Sequence, residues 1–129
     1  MSTLRTNALE GVDAKNSITI VAGAGNVTTM SVQSGLCKCW CQFDGTGTAS
    51  ITKSFNVSSL SDGGTGDYTV NMTNKLSPNT GPFFATGSTI NASDASSDND
   101  GVIRVFTSNE GGTAQDSGRT HTGKFGDLA

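Results

Sequence analysis

A cluster of turn-forming residues at 61–67 limits the possible folds more than any other part of the sequence. It reads Ser-Asp-Gly-Gly-Thr-Gly-Asp, and Asp-Gly and Gly-Gly pairs supply the positive φ angles that tight hairpin turns need. In the residues that follow, Tyr68, Val70 and Met72 alternate with polar residues. This alternation is typical of a half-buried antiparallel strand. The cluster therefore predicts a tight turn that leads into a β-strand.

Similar strand-forming segments recur about every ten residues, with turns between them, which is typical of a β-sandwich or a barrel. Residues 36–43 and 48–60 form two predicted strands, joined as a hairpin by the turn at 44–47. Further strands are predicted at 17–21, 83–86, 102–108 and 117–125, and no helix of useful length is found. The sequence predicts an all-β protein. An extended N-terminal arm with one short strand (1–25) precedes an antiparallel β-sandwich or barrel-like domain (26–129).

The composition indicates a thin core. Leu, Ile, Val and Phe account for 25 of 129 residues, whereas Gly, Ser, Thr and Asn account for 61. The net charge of -3 is too small for self-repulsion to oppose collapse. Small domains that lack apolar area often gain it by oligomerising. We therefore expect an obligate oligomer.

Several classes of function find little support in the sequence. The 8 Lys and Arg residues form no basic run that would neutralise phosphates. No apolar stretch approaches the roughly 20 residues of a membrane span, and the N-terminus lacks the apolar segment of a secretory signal. His121 is the sole histidine, and no nucleophile elbow, zinc-protease motif or phosphate loop is present. We expect no enzymatic activity, no cofactor, no nucleic acid and no membrane.

Three cysteines at alternate positions, Cys37, Cys39 and Cys41, suggest a metal site at first sight, with His121 as a fourth ligand. On a strand, side chains two residues apart are separated by about 6.6 Å. Two thiolates on one zinc ion lie at most about 4.6 Å apart. The parallel projection also makes a disulfide between neighbours awkward. We interpret the cysteines as small apolar residues on the core face of the strand.

A second possible metal motif lies at 98–101, which reads Asp-Asn-Asp-Gly. A calcium loop of the EF-hand type needs a glycine at its sixth position and a glutamate at its twelfth. Here the glycine falls at the fourth position and Asn109 at the twelfth. We interpret residues 91–101 as a solvated polar loop, with a nonstandard calcium site in an oligomer as the alternative.

Two longer runs resemble a known group of proteins. Residues 35–48 read Gly-Leu-Cys-Lys-Cys-Trp-Cys-Gln-Phe-Asp-Gly-Thr-Gly-Thr, and residues 54–71 contain Asn-Val-Ser-Ser followed by Asp-Gly-Gly-Thr-Gly-Asp-Tyr-Thr-Val. Together they resemble a module of short virion proteins of marine tailed bacteriophages, which are regarded as fibre-like or related to tail fibres. The two ends of the chain also look like the ends of that group. Its members carry small or β-branched apolar residues where the three cysteines stand.

This resemblance implies a structural protein at the virion surface, made in the host cytoplasm without a signal peptide. We expect a homotrimer that acts as a capsid decoration (a cement or head-fibre protein) or as a short tail fibre. Its partners would be its own copies and capsid or tail proteins of the phage. We assign self-association to aromatic residues: Trp40, Phe43, Phe55 and Tyr68. We assign docking on the particle to residues of the arm: Leu4, Arg5, Leu9, Ile18 and Ile20.

The alternative is a glycan- or receptor-binding β-sandwich at a fibre tip, which would mediate attachment to the host. Such a module needs an aromatic platform or a polar cleft. The candidates for a platform are Trp40 and Tyr68.

Overall fold

The computed structural model describes residues 6–8, 19–21, 29–76, 82–88, 91–94 and 101–126. The chain divides into two compact units, Met1–Leu36 and Cys37–Ala129. In the first unit, strands β1 (Thr19–Val21) and β2 (Thr29–Ser31) pair antiparallel, and one helical turn, α1 (Val32–Gly35), follows. The boundary falls after Leu36 rather than after residue 25, because β2 pairs with β1.

The second unit is an antiparallel β-sandwich of two four-stranded sheets. Its strands are β3 (Cys37–Asp44), β4 (Ser50–Phe55), β5 (Val57–Gly64), β6 (Asp67–Met72), β7 (Phe83–Gly87), β8 (Asn91–Asp94), β9 (Val102–Ser108) and β10 (Thr120–Phe125). The first sheet has the order β4-β3-β10-β7 and the second has the order β5-β6-β9-β8. This architecture confirms the predicted all-β class and the predicted hairpin between β3 and β4.

One predicted strand is broken into two. Residues 48–60 form β4 of the first sheet and β5 of the second, separated by Asn56 with a φ of 56°. Asparagine tolerates this left-handed conformation better than most residues. Its side-chain amide donates hydrogen bonds to the carbonyls of Lys38 (2.9 Å) and Asn74 (3.0 Å), and its Oδ1 accepts one from the Asn74 N–H (2.8 Å). Asn56 is therefore the corner at which the chain passes between the sheets.

The predicted loop at 91–101 also differs, because Asn91–Asp94 is strand β8 and pairs with β9 at the edge of the second sheet. Asn, Ser and Asp are poor strand formers, so pairing with β9 outweighs local preference here. Residues 95–100 hold Asp98 and Asp100 of the candidate calcium loop and lie outside the described residues.

The core lies between the sheets and is built from alternate residues of β3, β6, β9 and β10. The buried apolar side chains are Cys39, Cys41, Phe43, Tyr68, Val70, Met72, Leu76, Ile103 and Val105. The Phe43 and Tyr68 rings meet across it, with centroids 5.0 Å apart and planes tilted by 58°. β10 buries two threonines, Thr120 and Thr122, and one lysine, Lys124, instead of large apolar groups. The core is therefore thin, as the composition predicts.

The three thiols follow the alternation of β3. Cys39 and Cys41 are buried and Cys37 is half-buried, which confirms the core interpretation for the first two. Burial, as the largest cause, raises the pKa of Cys39 to about 12 and that of Cys41 to about 11. Within the described residues, no three His, Cys, Asp or Glu side chains are grouped as a metal site would require.

We expect these two buried thiols to resist alkylation in the native protein, because the thiolate is the nucleophile. Their folded-state pKa values lie above the ordinary thiol value. The stability gained from keeping them protonated is therefore complete below about pH 8.5. It is lost as the pH rises towards 11 to 12. Mass spectrometry after iodoacetamide treatment should find Cys39 and Cys41 unmodified. Urea titrations should show a lower free energy of unfolding above about pH 9. In a Cys39→Val/Cys41→Val variant, the free energy of unfolding should no longer fall at alkaline pH. Alkylation of native Cys39 at the rate of a free thiol would contradict the expectation.

The connection between β9 and β10 closes one end of the sandwich through Asp116. One carboxylate oxygen of Asp116 accepts hydrogen bonds from the Tyr68 hydroxyl (2.7 Å) and from the Gly66 N–H (2.8 Å). These two donors hold the pKa of Asp116 below its usual range. The Gly45 N–H donates to the Ser117 carbonyl at 2.9 Å. The hairpin turns of both sheets are thus tied to a single loop.

Candidate interaction surface

The outward face of the first sheet carries a row of exposed aromatic side chains. Directly paired residues of an antiparallel sheet share a face, and the register pairs Phe55 with Trp40, Trp40 with Gly123, and Gly123 with Phe84. Phe55, Trp40 and Phe84 are 54%, 40% and 44% exposed. We call these three residues the aromatic row. It crosses all four strands, a distance of about 14 Å at the usual strand spacing.

Gly123 allows the row to remain continuous. A Cβ atom at this position would lie 2.6 Å from carbons of the Phe84 ring and 3.0 Å from the Cys39 carbonyl oxygen. The Phe84 ring therefore covers the backbone of Gly123, an arrangement by which an aromatic neighbour compensates for a strand glycine. The Phe125 ring lies beside Phe84, with centroids 6.5 Å apart and planes tilted by 50°.

A second row, next along the strands, is polar. The register pairs Lys53 with Gln42, Gln42 with His121, and His121 with Thr86. Lys53 and Thr86 are exposed, whereas Gln42 and His121 are half-buried. We call these four residues the polar row. An ammonium group, an amide, an imidazole and a hydroxyl thus lie beside the aromatic row on the same face.

The outward face of the second sheet has a different character. The Arg104 guanidinium binds both carboxylate oxygens of Asp67, at 2.9 and 2.6 Å, and lies 4.8 Å from the centroid of the Phe106 ring. The hydrogen bond from Arg104 holds the pKa of Asp67 below its usual range. The Asn71 side chain donates to the hydroxyls of Ser59 (3.0 Å) and Ser61 (3.2 Å). Polar groups on this face bind one another, so the two outward faces present different chemistry.

Two of the four predicted self-association residues do not reach the surface. Phe43 and Tyr68 are 0% exposed, because both fill the core between the sheets, so their assignment to a self-association surface is wrong. This burial also removes Tyr68 as a glycan platform. Trp40 and Phe55 are exposed, and for them the assignment stays a prediction.

The residues predicted to dock on the particle fall mostly outside the described part of the chain. Leu4, Arg5, Leu9 and Ile18 lie there, and Ile20 lies in β1, where it pairs with Met30. Their assigned role stays a prediction.

Sequence reasoning missed Phe84 as a surface residue. Phe83 and Phe84 are adjacent in an apolar segment, so composition alone does not distinguish the inward ring from the outward one. The pairing of β7 with β10 shows which ring faces outward. Phe84 is opposite Gly123 on the outward face, and Phe83 is packed against the core.

Comparison of the chain with protein-family models, with curated proteins and with solved structures finds no significant match. In the described part of the chain, no helix has the length and apolar character needed to cross a membrane.

Proposed function

We propose that this protein is a non-enzymatic structural component of a tailed-phage virion surface, and that it acts by assembling into a homotrimer and docking on the particle. The observation that carries the proposal is the aromatic row, which is exposed on one outward face of a chain with a thin core. The resemblance of residues 35–48 and 54–71 to short phage virion proteins supplies the setting.

The chemistry of the first sheet fits an interface between copies. Aromatic residues are enriched in the buried centres of protein interfaces, and charged residues are depleted there. The aromatic row contains no charge, and Lys53 of the polar row lies at its side, as expected of a rim. Covering these rings with a neighbouring copy would supply apolar burial that the thin core lacks.

The role on the particle would be that of a capsid decoration, a head fibre or a short tail-fibre protein. Its partners on the particle would be capsid or tail proteins of the phage.

Glycan binding is the second candidate function, and the polar row is the observation that favours it. A sugar ring stacks its apolar face on an aromatic ring while its hydroxyls bond to side-chain donors and acceptors. Trp40 and Phe84 lie beside Gln42, His121 and Thr86 in that combination. In this case the exposed face would receive a host polysaccharide instead of a second copy.

The solution mass and the fluorescence of Trp40, the single tryptophan, test the proposal together. We expect light scattering to give three times 13.1 kDa. Dilution should lower the mass and shift the Trp40 emission to longer wavelength as the ring returns to water. A folded monomer at every concentration would overturn the trimer. A monomer whose Trp40 emission changes on addition of a bacterial surface polysaccharide would establish the second candidate instead.

A further inference from the structure

Three aspartates of the chain directly precede a glycine: Asp44, Asp62 and Asp100. An Asp-Gly pair is open to a spontaneous reaction in which the glycine nitrogen attacks the aspartate side chain, because glycine has no Cβ atom to hinder the approach. Asp100 lies outside the described residues. The other two pairs lie near hairpin turns, one in each sheet, and the structure gives them different surroundings.

The two described pairs share the same local geometry. Asp62 Oδ1 accepts a hydrogen bond from the Gly64 N–H at 2.9 Å, and Asp44 Oδ1 accepts one from the Thr46 N–H at 2.8 Å. In both cases the side chain bonds to the backbone two residues on, as in an Asx-turn. The carboxyl group is thus held beside the peptide bond that would react. A difference in reactivity must therefore come from other contacts.

The Asp44–Gly45 pair is held by contacts on both residues. Gly45 is buried, and its N–H donates to the Ser117 carbonyl oxygen at 2.9 Å. A hydrogen-bonded amide loses its proton less readily, and the nitrogen must lose this proton to attack. The hydroxyl and the N–H of Thr46 both donate to Asp44 and hold the pKa of its carboxyl below the usual range. Asp44 is therefore kept in the ionised form, which does not release water.

The Asp62–Gly63 pair is exposed and lies at a bulge. Asp62, Gly63 and Gly64 are exposed on β5, an edge strand of the second sheet. The register passes from the pair Asp62–Tyr68 to the pair Gly64–Asp67, so Gly63 is the extra residue and has no partner across the described ladder. A bulge in an edge strand opens locally more readily than a central strand, because fewer contacts hold it. The Gly63 nitrogen is therefore free to approach the Asp62 side chain.

We infer that Asp62 is a site of spontaneous isomerisation to isoaspartate in the folded protein, and that Asp44 is protected from it. The Gly63 nitrogen loses its proton and forms a bond to Cγ of Asp62, while the C–OH bond of the protonated carboxyl breaks and one water leaves. The product is a five-membered succinimide ring. One water then opens the ring, and opening at the main-chain carbonyl leaves the backbone running through Cγ. The reaction needs no oxidant or reductant, and the final mass of the chain is unchanged.

The isomerised chain would differ at the turn between β5 and β6. Isoaspartate adds one carbon to the backbone and moves the free carboxylate next to Cα. The Gly64 N–H would lose its present side-chain acceptor, and the pairing of Asp62 with Tyr68 would shift. The inference does not depend on assembly into a trimer.

The unmodified chain contains its own control. Folded protein is incubated at neutral pH and physiological temperature beside a sample unfolded in guanidinium chloride. Both are digested with a protease that cuts before aspartate but not before isoaspartate, and the peptides are quantified by mass spectrometry. We expect isomerisation at Asp62 to be about tenfold faster than at Asp44 in the folded sample, and the two rates to be similar in the unfolded sample. Equal rates in the folded sample, or an Asp62 that stays unmodified while the unfolded chain reacts, would overturn the inference.

A Gly63→Ala variant tests whether the Gly63 nitrogen is the attacking group. A Cβ atom there would lie 2.9 Å from Asp67 Oδ2, which is the end of a side chain and can move. We expect isomerisation at Asp62 to slow about tenfold, because the added methyl group hinders the attack, while the rate at Asp44 stays the same. An unchanged rate at Asp62 would overturn the proposed step. If circular dichroism shows that the variant does not fold, the comparison within the unmodified chain decides.

Discussion

Replacing Gly66 with alanine should lower the free energy of unfolding by about 4 kcal/mol, which is at the upper end of single-residue effects. Gly66 has a φ of 71°, and a Cβ atom there would lie 2.3 Å from the Thr107 carbonyl oxygen and 3.0 Å from the Gln115 backbone nitrogen. These are backbone atoms and cannot rotate away. The Gly66 N–H also binds Asp116, so displacement of the turn would break that contact as well.

Gly47→Ala is the matched control for this prediction. Gly47 has a similar φ of 64°, but nothing lies within 4 Å of the Cβ position. The free energy of unfolding of this variant should fall by only about 1 to 2 kcal/mol, which is the cost of the left-handed backbone conformation for a residue with a Cβ atom. Urea denaturation followed by circular dichroism measures both losses. The two variants are compared at one protein concentration, because the apparent stability of a self-associating protein depends on concentration. Equal losses in the two variants would show that the clash with Thr107 contributes nothing.

Replacing Tyr68 with alanine should also lower the free energy of unfolding by about 4 kcal/mol. Truncation of a large aromatic side chain in a core to alanine destabilises a protein by about 3 to 5 kcal/mol. Tyr68 is fully buried, packs on Phe43 and donates to the carboxylate of Asp116. Tyr68→Phe keeps the packing and removes the hydroxyl. This variant should lower the free energy of unfolding by about 2 kcal/mol, which is the usual contribution of a hydrogen bond to a charged group.

A double-mutant cycle separates the hydrogen bond from its surroundings. Tyr68→Phe and Asp116→Asn, alone and together, should show a coupling energy of about 1 to 2 kcal/mol. Additive losses in the two variants would mean that the contact at 2.7 Å adds nothing to stability. In that case the whole loss in Tyr68→Ala would come from packing.

The sequence was sufficient to predict the inward faces of the strands. Tyr68, Val70 and Met72 alternate with polar residues and are buried as predicted. Phe43 has the same parity as Cys39 and Cys41, so the signal for its burial was present in the sequence. The assignment of Phe43 and Tyr68 to a surface failed because it gave aromatic character more weight than alternation.

The candidate surface was less accessible to sequence reasoning. Trp40, Gly123 and Phe84 lie far apart in the chain and become neighbours only through the strand order and register of the first sheet. Local sequence patterns contain no information on strand order or on register. The corner at Asn56 was missed for a related reason. Strand-forming residues flank it on both sides, and its side chain is held by the backbone carbonyls of Lys38 and Asn74.

The order of strands in the first sheet has a consequence for synthesis. β10 lies between β3 and β7, yet it follows all the other strands in the sequence. While a ribosome is still translating the residues before Thr120, Trp40 and Phe84 have no strand to join them. The aromatic row is therefore completed only after β10 has emerged and inserted between β3 and β7, so this surface forms at the end of translation of this domain.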